Sequence, residues 1–271
     1  MVVALLAGLF GLLIGSFLNV CIYRMPRDLS VVRPRSFCPQ CNKTIAWFDN
    51  IPLLSYALLG GRCRRCGFRI PARYPAVELL TGALFFCAFW FLGATAAAAK
   101  FAVFGAIMIE LVFSDLEERI LPDEFTLGGT VAGALLAAFA PVNGGLLVYF
   151  FSPKYAWIVS VGDSLLAAGV CSGALWLVRS VYQKIRKREG LGLGDVKMAA
   201  MIGAFLGIQG AMLTVLVGSL LGVIVGLGYA WFTGEDLSTY ELPFGTFLGV
   251  SAVGVGFFLD VILTWYKGLG A

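Results

Sequence analysis

Residues 1–23, MVVALLAGLFGLLIGSFLNVCIY, carry no charged side chain, and the apolar run ends only at Arg24. As a helix this stretch is about 35 Å long, enough to cross a hydrocarbon layer of about 30 Å. It has neither a basic start nor a small-residue cleavage site, so it reads as a retained first span rather than a removed signal peptide. Seven further apolar stretches follow, giving predicted spans near 2–22, 76–93, 98–114, 124–141, 159–181, 195–209, 211–232 and 244–266. The composition agrees: 59% of the 271 residues are hydrophobic and 13% charged, with a mean hydropathy of +0.88, where soluble domains carry about 25% charged residues. The 34 glycines suit helices that pack closely in lipid. The predicted fold is all-α, a polytopic transmembrane bundle of about eight spans in contact with the lipid bilayer.

Ten of the twenty Lys/Arg lie between Arg24 and Arg73. Flanked by apolar spans, this run reads as a cytoplasmic loop obeying the positive-inside rule and not as a nucleic-acid surface. Eight spans place both termini on one side. Arg24 to Arg73, Arg119, the cluster Lys184-Ile185-Arg186-Lys187-Arg188 and the 233–242 loop then share the cytoplasmic side, with Lys100, Lys154, Lys267 and both termini outside. The outer connection 142–158, with apolar Leu146 to Phe151, reads as an interfacial or re-entrant piece. The chain has no histidine, which removes Ser-His-Asp and Cys-His catalysis and histidine-ligated metals.

Within the basic loop, Cys38-Pro39-Gln40-Cys41 and Cys63-Arg64-Arg65-Cys66 form C-x2-C-x21-C-x2-C. Four thiolates complete the tetrahedral shell that zinc favours, with no position left open for chemistry, so the expected metal is structural. Two disulfides are the other reading; a cytoplasmic loop, where thiols stay reduced, favours zinc. The expected organisation is a first span over 1–22, a four-cysteine zinc domain over 23–75 and a membrane domain over 76–271. Cys21, Cys87 and Cys171 read as small core residues, and Gly60-Gly61 as a glycine-permitted turn.

A carboxylate inside a span costs about 2.5–3.5 kcal/mol to insert, so Glu78, Glu110, Asp115, Asp163, Asp195 and Asp260 each need a reason. Asp163 and Asp260 fall toward the outer side, where cap or packing roles suit them. Asp115 ends the third span in Ser114-Asp115-Leu116-Glu117-Glu118-Arg119-Ile120-Leu121-Pro122-Asp123. Asp195 opens the sixth in Gly192-Leu193-Gly194-Asp195-Val196-Lys197, where a helix cap would also fit. The topology brings Asp115 and Asp195 to one level at the cytoplasmic face. Two adjacent carboxylates share a proton, so that one activates a water while the other protonates the carbonyl under attack, as in aspartic proteases. Asp123 reads as a cap, Glu117, Glu118 and Glu124 as solvated, and Lys197 as an electrostatic or substrate-binding neighbour of Asp195, or a snorkelling lysine. Glycines 190, 192 and 194 lack the lysine pattern of a phosphate-binding loop.

Together these motifs resemble the type IV prepilin leader peptidase/N-methyltransferase family, membrane aspartic proteases of the GxGD class. The resemblance runs along nearly the whole chain: Gly15-Ser16-Phe17-Leu18-Asn19-Val20, Arg24-Met25-Pro26, the four cysteines, Asn50-Ile51-Pro52, Arg73-Tyr74-Pro75 with Glu78-Leu79, Asp115 through Asp123, and Gly192 to Lys197. It implies that Asp115 and Asp195 are the catalytic pair. The implied substrates are the N-terminal segments of prepilins and type II secretion pseudopilins, cut after a glycine at the cytoplasmic face of a bacterial inner membrane. It also implies N-methylation of the new terminus from S-adenosylmethionine, an activity associated with the zinc domain; no residue is assigned to the methyl donor. The acidic Glu117, Glu118 or Asp123 would receive the basic leader. Two departures stand out. Pro243-Phe244-Gly245-Thr246 replaces Pro-Phe-Gly-Pro, so the local turn differs, and the stretch from Met25 to Cys38 is short for the family.

The main rival from another class is an ion- or proton-coupled transporter using the same aspartates, but transporter charges belong near the midplane. A membrane scaffold with a zinc-knuckle docking domain and capping aspartates is the second. A peptidase without methyltransferase activity is the nearest variant of the main reading.

Overall fold

The computed structural model describes residues 1–142, 145–147, 150–151, 155–188, 190–233 and 242–268, of which 230, 260, 263 and 266–268 as backbone only. Lys154, residues 234–241 of the predicted inner loop, part of the 142–158 connection and the side chains of Asp260 and Lys267 lie outside the described residues. The described chain is helical: α1 (Val2–Arg24), α2 (Leu54–Leu58), α3 (Arg73–Leu92), α4 (Ala96–Glu118), α5 (Asp123–Ala137), α6 (Ala156–Arg186), α7 (Leu193–Thr233) and α8 (Phe244–Gly268), with short 3-10 turns at Met25–Arg27 and Trp47–Asn50. Two isolated β-bridges, Phe37 with Thr44 and Arg62 with Arg69, are the extended pairings among these residues.

Each predicted span falls on a helix, and among the described residues five helices are long and apolar enough to cross a membrane: Val2–Arg27, Arg73–Leu92, Ala96–Glu118, Ala156–Arg186 and Leu193–Thr233. The difference from eight has physical causes. The sixth and seventh predicted spans form one 41-residue helix, α7, broken at Gly207 (φ 74°, ψ −179°). At about 1.5 Å per residue α7 covers about 60 Å, twice the hydrocarbon thickness, and glycine admits the left-handed break. The break lies three residues before Gly210, where the hydropathy pattern had suggested it. Helix α5 has 15 residues, and α8 runs over 25, Phe244–Gly268, of which Phe244–Leu259 forms an apolar helix among the residues whose side chains are described.

The chain divides into two compact units, Met1–Glu110 and Leu111–Ala271. In the first, α1 lies against α3 along Gly8, Gly11 and Gly15. A Cβ at Gly15 would stand 2.7 Å from Glu78 Cα, and one at Gly11 would stand 2.8 Å from Phe85 Cβ, so these backbones approach as closely as small residues allow. In the second unit α7 is the central helix, packed on α5, α6 and α8. A Cβ at Gly203 would stand 2.7 Å from Ala167 O, and the buried Ser164 hydroxyl donates to Ala204 O at 2.7 Å across the same contact. Buried Asp163 accepts the Leu147 N–H at 2.8 Å, which ties part of the 142–158 connection to α6; of the cap and packing roles expected for it, this is a packing role inside the helix.

Candidate active site and metal centre

In the second unit, Asp115 lies in the last turn of α4 and Asp195 in the first turn of α7. Both are buried, at 6% and 9% exposure, and their carboxylates are close enough to act on each other electrostatically. Local sequence explains the placement. Arg119 takes φ 55° and ends α4, its N–H donating to Asp115 O at 3.0 Å. The chain then turns through Leu121, whose side chain packs where Gly194 and Gly245 leave room: a Cβ at either glycine would stand 3.1 Å from it. A Cβ at Gly245 would also stand 3.1 Å from Asp115 Oδ2. One leucine thus joins the surroundings of both aspartates, and side chains at 194 and 245 would push them apart.

The two carboxylates have different partners. Asp115 Oδ2 accepts the Thr246 N–H at 2.7 Å and the Thr246 hydroxyl at 2.8 Å. Asp195 Oδ2 accepts the Gly192 N–H at 3.1 Å; as the third residue of α7 it is not the N-cap that the sequence allowed, but it reaches back to the backbone just before the helix. The expectation that Asp123 is a cap is corrected: Pro122 holds the cap position of α5 with no side-chain cap bond, and Asp123, exposed, binds Lys197 Nζ at 2.7 and 2.8 Å. Lys197 is therefore a strut between the starts of α5 and α7. Sequence reading missed Thr246 as a partner of Asp115; the available signal was a residue with a free N–H and a hydroxyl where the resemblance expects proline.

In the first unit the four cysteines converge, their Sγ atoms all within 4.8 Å of one another and those of Cys38 and Cys66 at 3.7 Å. Tetrahedral zinc with bonds of about 2.3 Å places its sulfurs about 3.8 Å apart, so the donor set fits that metal. The two knuckles are built alike. The Cys38 N–H donates to Lys43 O and Asn42 N–H to Cys38 O; in the second, Cys63 N–H donates to Phe68 O and Gly67 N–H to Cys63 O. Asn42 (φ 53°) and Gly67 (φ 70°) occupy equivalent left-handed positions, so each turn presents two sulfurs on one side. Hydrogen bonds from the Cys66 and Arg65 N–H groups bring the Cys63 thiol down to about 7. A bidentate Arg64–Asp49 pair, its shortest contact 2.7 Å, ties the second knuckle to the Trp47–Asn50 turn.

This four-cysteine unit is anchored to the helices by Glu78. Its Oε2 accepts the Leu53 N–H at 2.8 Å, and Ser16 of α1 hydrogen-bonds the same carboxylate. Leu53 has φ 59°, ψ −46°, and Leu54 N–H reaches Pro52 O at 2.6 Å: a strained γ-turn, held by a buried acceptor. Asn19 Nδ2 donates to Tyr74 O at 3.0 Å, and buried Arg24 donates to Ser30 O at 2.8 Å, shaping the loop after α1. These contacts give the quoted motif residues around 15–24, 50–52 and 73–78 one structural task. Gly60 and Gly61 both have positive φ, as a glycine turn requires, and Cys21 and Cys171 are buried core residues.

The comparisons converge on the same organisation. Residues 9–92 match the Bacterial Peptidase A24 N-terminal domain and residues 102–227 the Type IV leader peptidase family. A prepilin leader peptidase/N-methyltransferase of Myxococcus xanthus is 40% identical over 83% of this chain and 62% of its own length. Those of Legionella pneumophila (35% over 97% of this chain and 94% of the relative) and Aeromonas hydrophila (33% over 95% and 91%) are similar end to end. No solved structure matches the chain. Two family models in order, end-to-end relatives, a pair of buried, interacting aspartates in one unit and a four-cysteine cluster in the other lead to one assignment: the chain belongs to the type IV prepilin leader peptidase/N-methyltransferase family.

Proposed function

We propose that this protein cleaves the leader of type IV prepilins and of type II secretion pseudopilins through Asp115 and Asp195, then N-methylates the new terminus. The observation that carries the reading is the pair of buried, interacting carboxylates delivered by two different helices. Such a pair holds one proton between its members. The ionised member takes a proton from water as the water oxygen adds to the scissile carbonyl carbon, and the protonated member donates to the carbonyl oxygen. Collapse of the gem-diol breaks the C–N bond and returns the pair to its starting protonation. Burial keeps competing water away and strengthens each interaction. The released α-amine, with a pKa of about 7.7–8.0, loses its proton readily. S-adenosylmethionine supplies the methyl group as a sulfonium; the protein's contribution is to position the amine. Zinc held by Cys38, Cys41, Cys63 and Cys66 supplies fold to the 23–75 domain, between the first span at 1–22 and the membrane domain at 76–271.

The test is a purified, reconstituted enzyme given a prepilin or a pseudopilin, with and without S-adenosylmethionine, and read by intact mass. Loss of the leader mass, followed by one methyl increment only with the donor, is expected for both substrates. Cleavage without the increment leaves a peptidase alone; no cleavage of either substrate sinks the reading.

The active site and the four-cysteine domain face the cytoplasm in this proposal. The basic ends of α1 and α6, with Arg24, Lys184 and Arg186 in their last turns, support that orientation. A membrane-impermeant maleimide added to intact cells is expected to label Ala94→Cys, in the exposed turn between α3 and α4, and to label Lys184→Cys only after permeabilisation. The opposite pattern inverts the topology.

A further inference from the structure

The two aspartates are not equivalent. Asp115 Oδ2 receives two short donors from Thr246, the N–H at 2.7 Å and the hydroxyl at 2.8 Å. The hydroxyl has one proton and lies 3.4 Å from its other acceptor, Val112 O, so the shorter contact to the carboxylate takes it. Thr246 is itself buried, so water does not compete for either bond. The Arg119 charge also acts on Asp115. Asp195 receives a single N–H at 3.1 Å and faces the charge of its neighbour. Donors aimed at a carboxylate favour its ionised form, and charge-assisted bonds in a dry site are the strong ones.

We infer that Thr246 is a positioning residue that keeps Asp115 ionised as the water-activating base and leaves the shared proton on Asp195. The inference deepens the peptidase reading and rests on it. With Oδ2 occupied by both donors, and no donor among the described residues reaching Oδ1, Oδ1 is the oxygen that receives the water proton. As the water O–H bond breaks and the C–O bond forms, Asp195 gives its proton to the carbonyl oxygen. In the second half, the proton on Asp115 moves to the leaving nitrogen as the C–N bond breaks. One gem-diol hydroxyl returns a proton to Asp195, and the starting state is restored.

Two substitutions test this. Thr246→Ser keeps both donors, and Thr246→Val keeps the N–H alone. With kcat and KM for a prepilin measured in lipid, Thr246→Ser is expected to match wild type. Thr246→Val is expected to lose about 10- to 100-fold in kcat, the range for one hydrogen bond to a charged group, at unchanged KM. Methyl transfer to an already cleaved N-terminal peptide, assayed in the same preparations, stays at wild-type level and reports intact protein. An infrared difference spectrum of wild type against Asp195→Asn is expected to contain the C=O band of a protonated carboxyl. Equal losses in Thr246→Ser and Thr246→Val, a change confined to KM, or a difference spectrum without that band overturns the inference while wild type still cleaves. Failure of wild type to cleave overturns the peptidase reading itself.

Discussion

Asparagine at position 115 or at position 195 is expected to lower leader cleavage by about 10⁴-fold, the upper end of what one general acid or base contributes. The substitution is nearly isosteric, and its amide oxygen still accepts the Thr246 donors or the Gly192 N–H. Packing around α4 and α7 therefore survives, and what is lost is the ability to hold and release a proton. Since the two groups act as one proton-sharing unit, the double variant is expected to fall no further than the more damaging single variant, as is general for catalytic groups that work together. KM for prepilin should stay near wild type, because neither carboxylate is needed to hold the hydrophobic helix of the substrate. The measurement is single-turnover cleavage in lipid, scored by the mass of the released leader. Cleavage that persists in both single variants removes the dyad. Additive losses would mean that the aspartates act at separate steps and not on one proton.

The aspartate pair was legible in sequence because burying charge in a span is costly and the loop charges predicted which helix ends share a face. The four-cysteine centre was legible from spacing alone, since two C-x2-C turns offer few other uses. What escaped sequence reading has physical reasons as well. A helix break at Gly207 depends on one backbone angle, and hydropathy averaged over a window cannot resolve it from a break at Gly210. Asp123 looked like a cap because it follows proline before an apolar run, yet its partner Lys197 lies 74 residues away. Thr246 reaches Asp115 across 131 residues of chain; nothing local to either residue announces the pairing. Apolar content marks about eight stretches, and among the described residues these fall on five long apolar helices, one of which, α7, holds two of them, and on shorter helices such as α5. The Glu78 anchor was half legible: a carboxylate in a span signals a role, but its acceptance of the Leu53 N–H depends on a strained turn that sequence patterns do not encode.

Removing the metal should have the largest effect on stability. Between Met25 and Ala72 the buried residues are Cys38, Ser55 and Gly61, and Trp47, Leu54 and Leu58 are exposed at 72%, 52% and 77%. A segment of this size with so little buried apolar surface cannot offset its chain entropy by a hydrophobic core. Zinc binding contributes apparent free energies of about 10–16 kcal/mol in small metal-held folds, comparable to the whole stability of an ordinary domain, about 5–15 kcal/mol. Cys38→Ser with Cys41→Ser, or exposure to a strong chelator, is therefore expected to unfold this segment as a unit. Protein purified under reducing conditions should carry one zinc per chain and the double variant none. Limited proteolysis should then cut between Arg27 and Arg69 in the variant and spare the wild type. Glu78 and Ser16 sit in helices packed through the glycine face of α1, so α1 and α3 are expected to stay folded. Methyl transfer should be lost, while cleavage, whose proposed residues all belong to the other compact unit, falls by a smaller factor. Wild type free of metal yet resistant to the protease would show that the four sulfurs are not what holds the segment together.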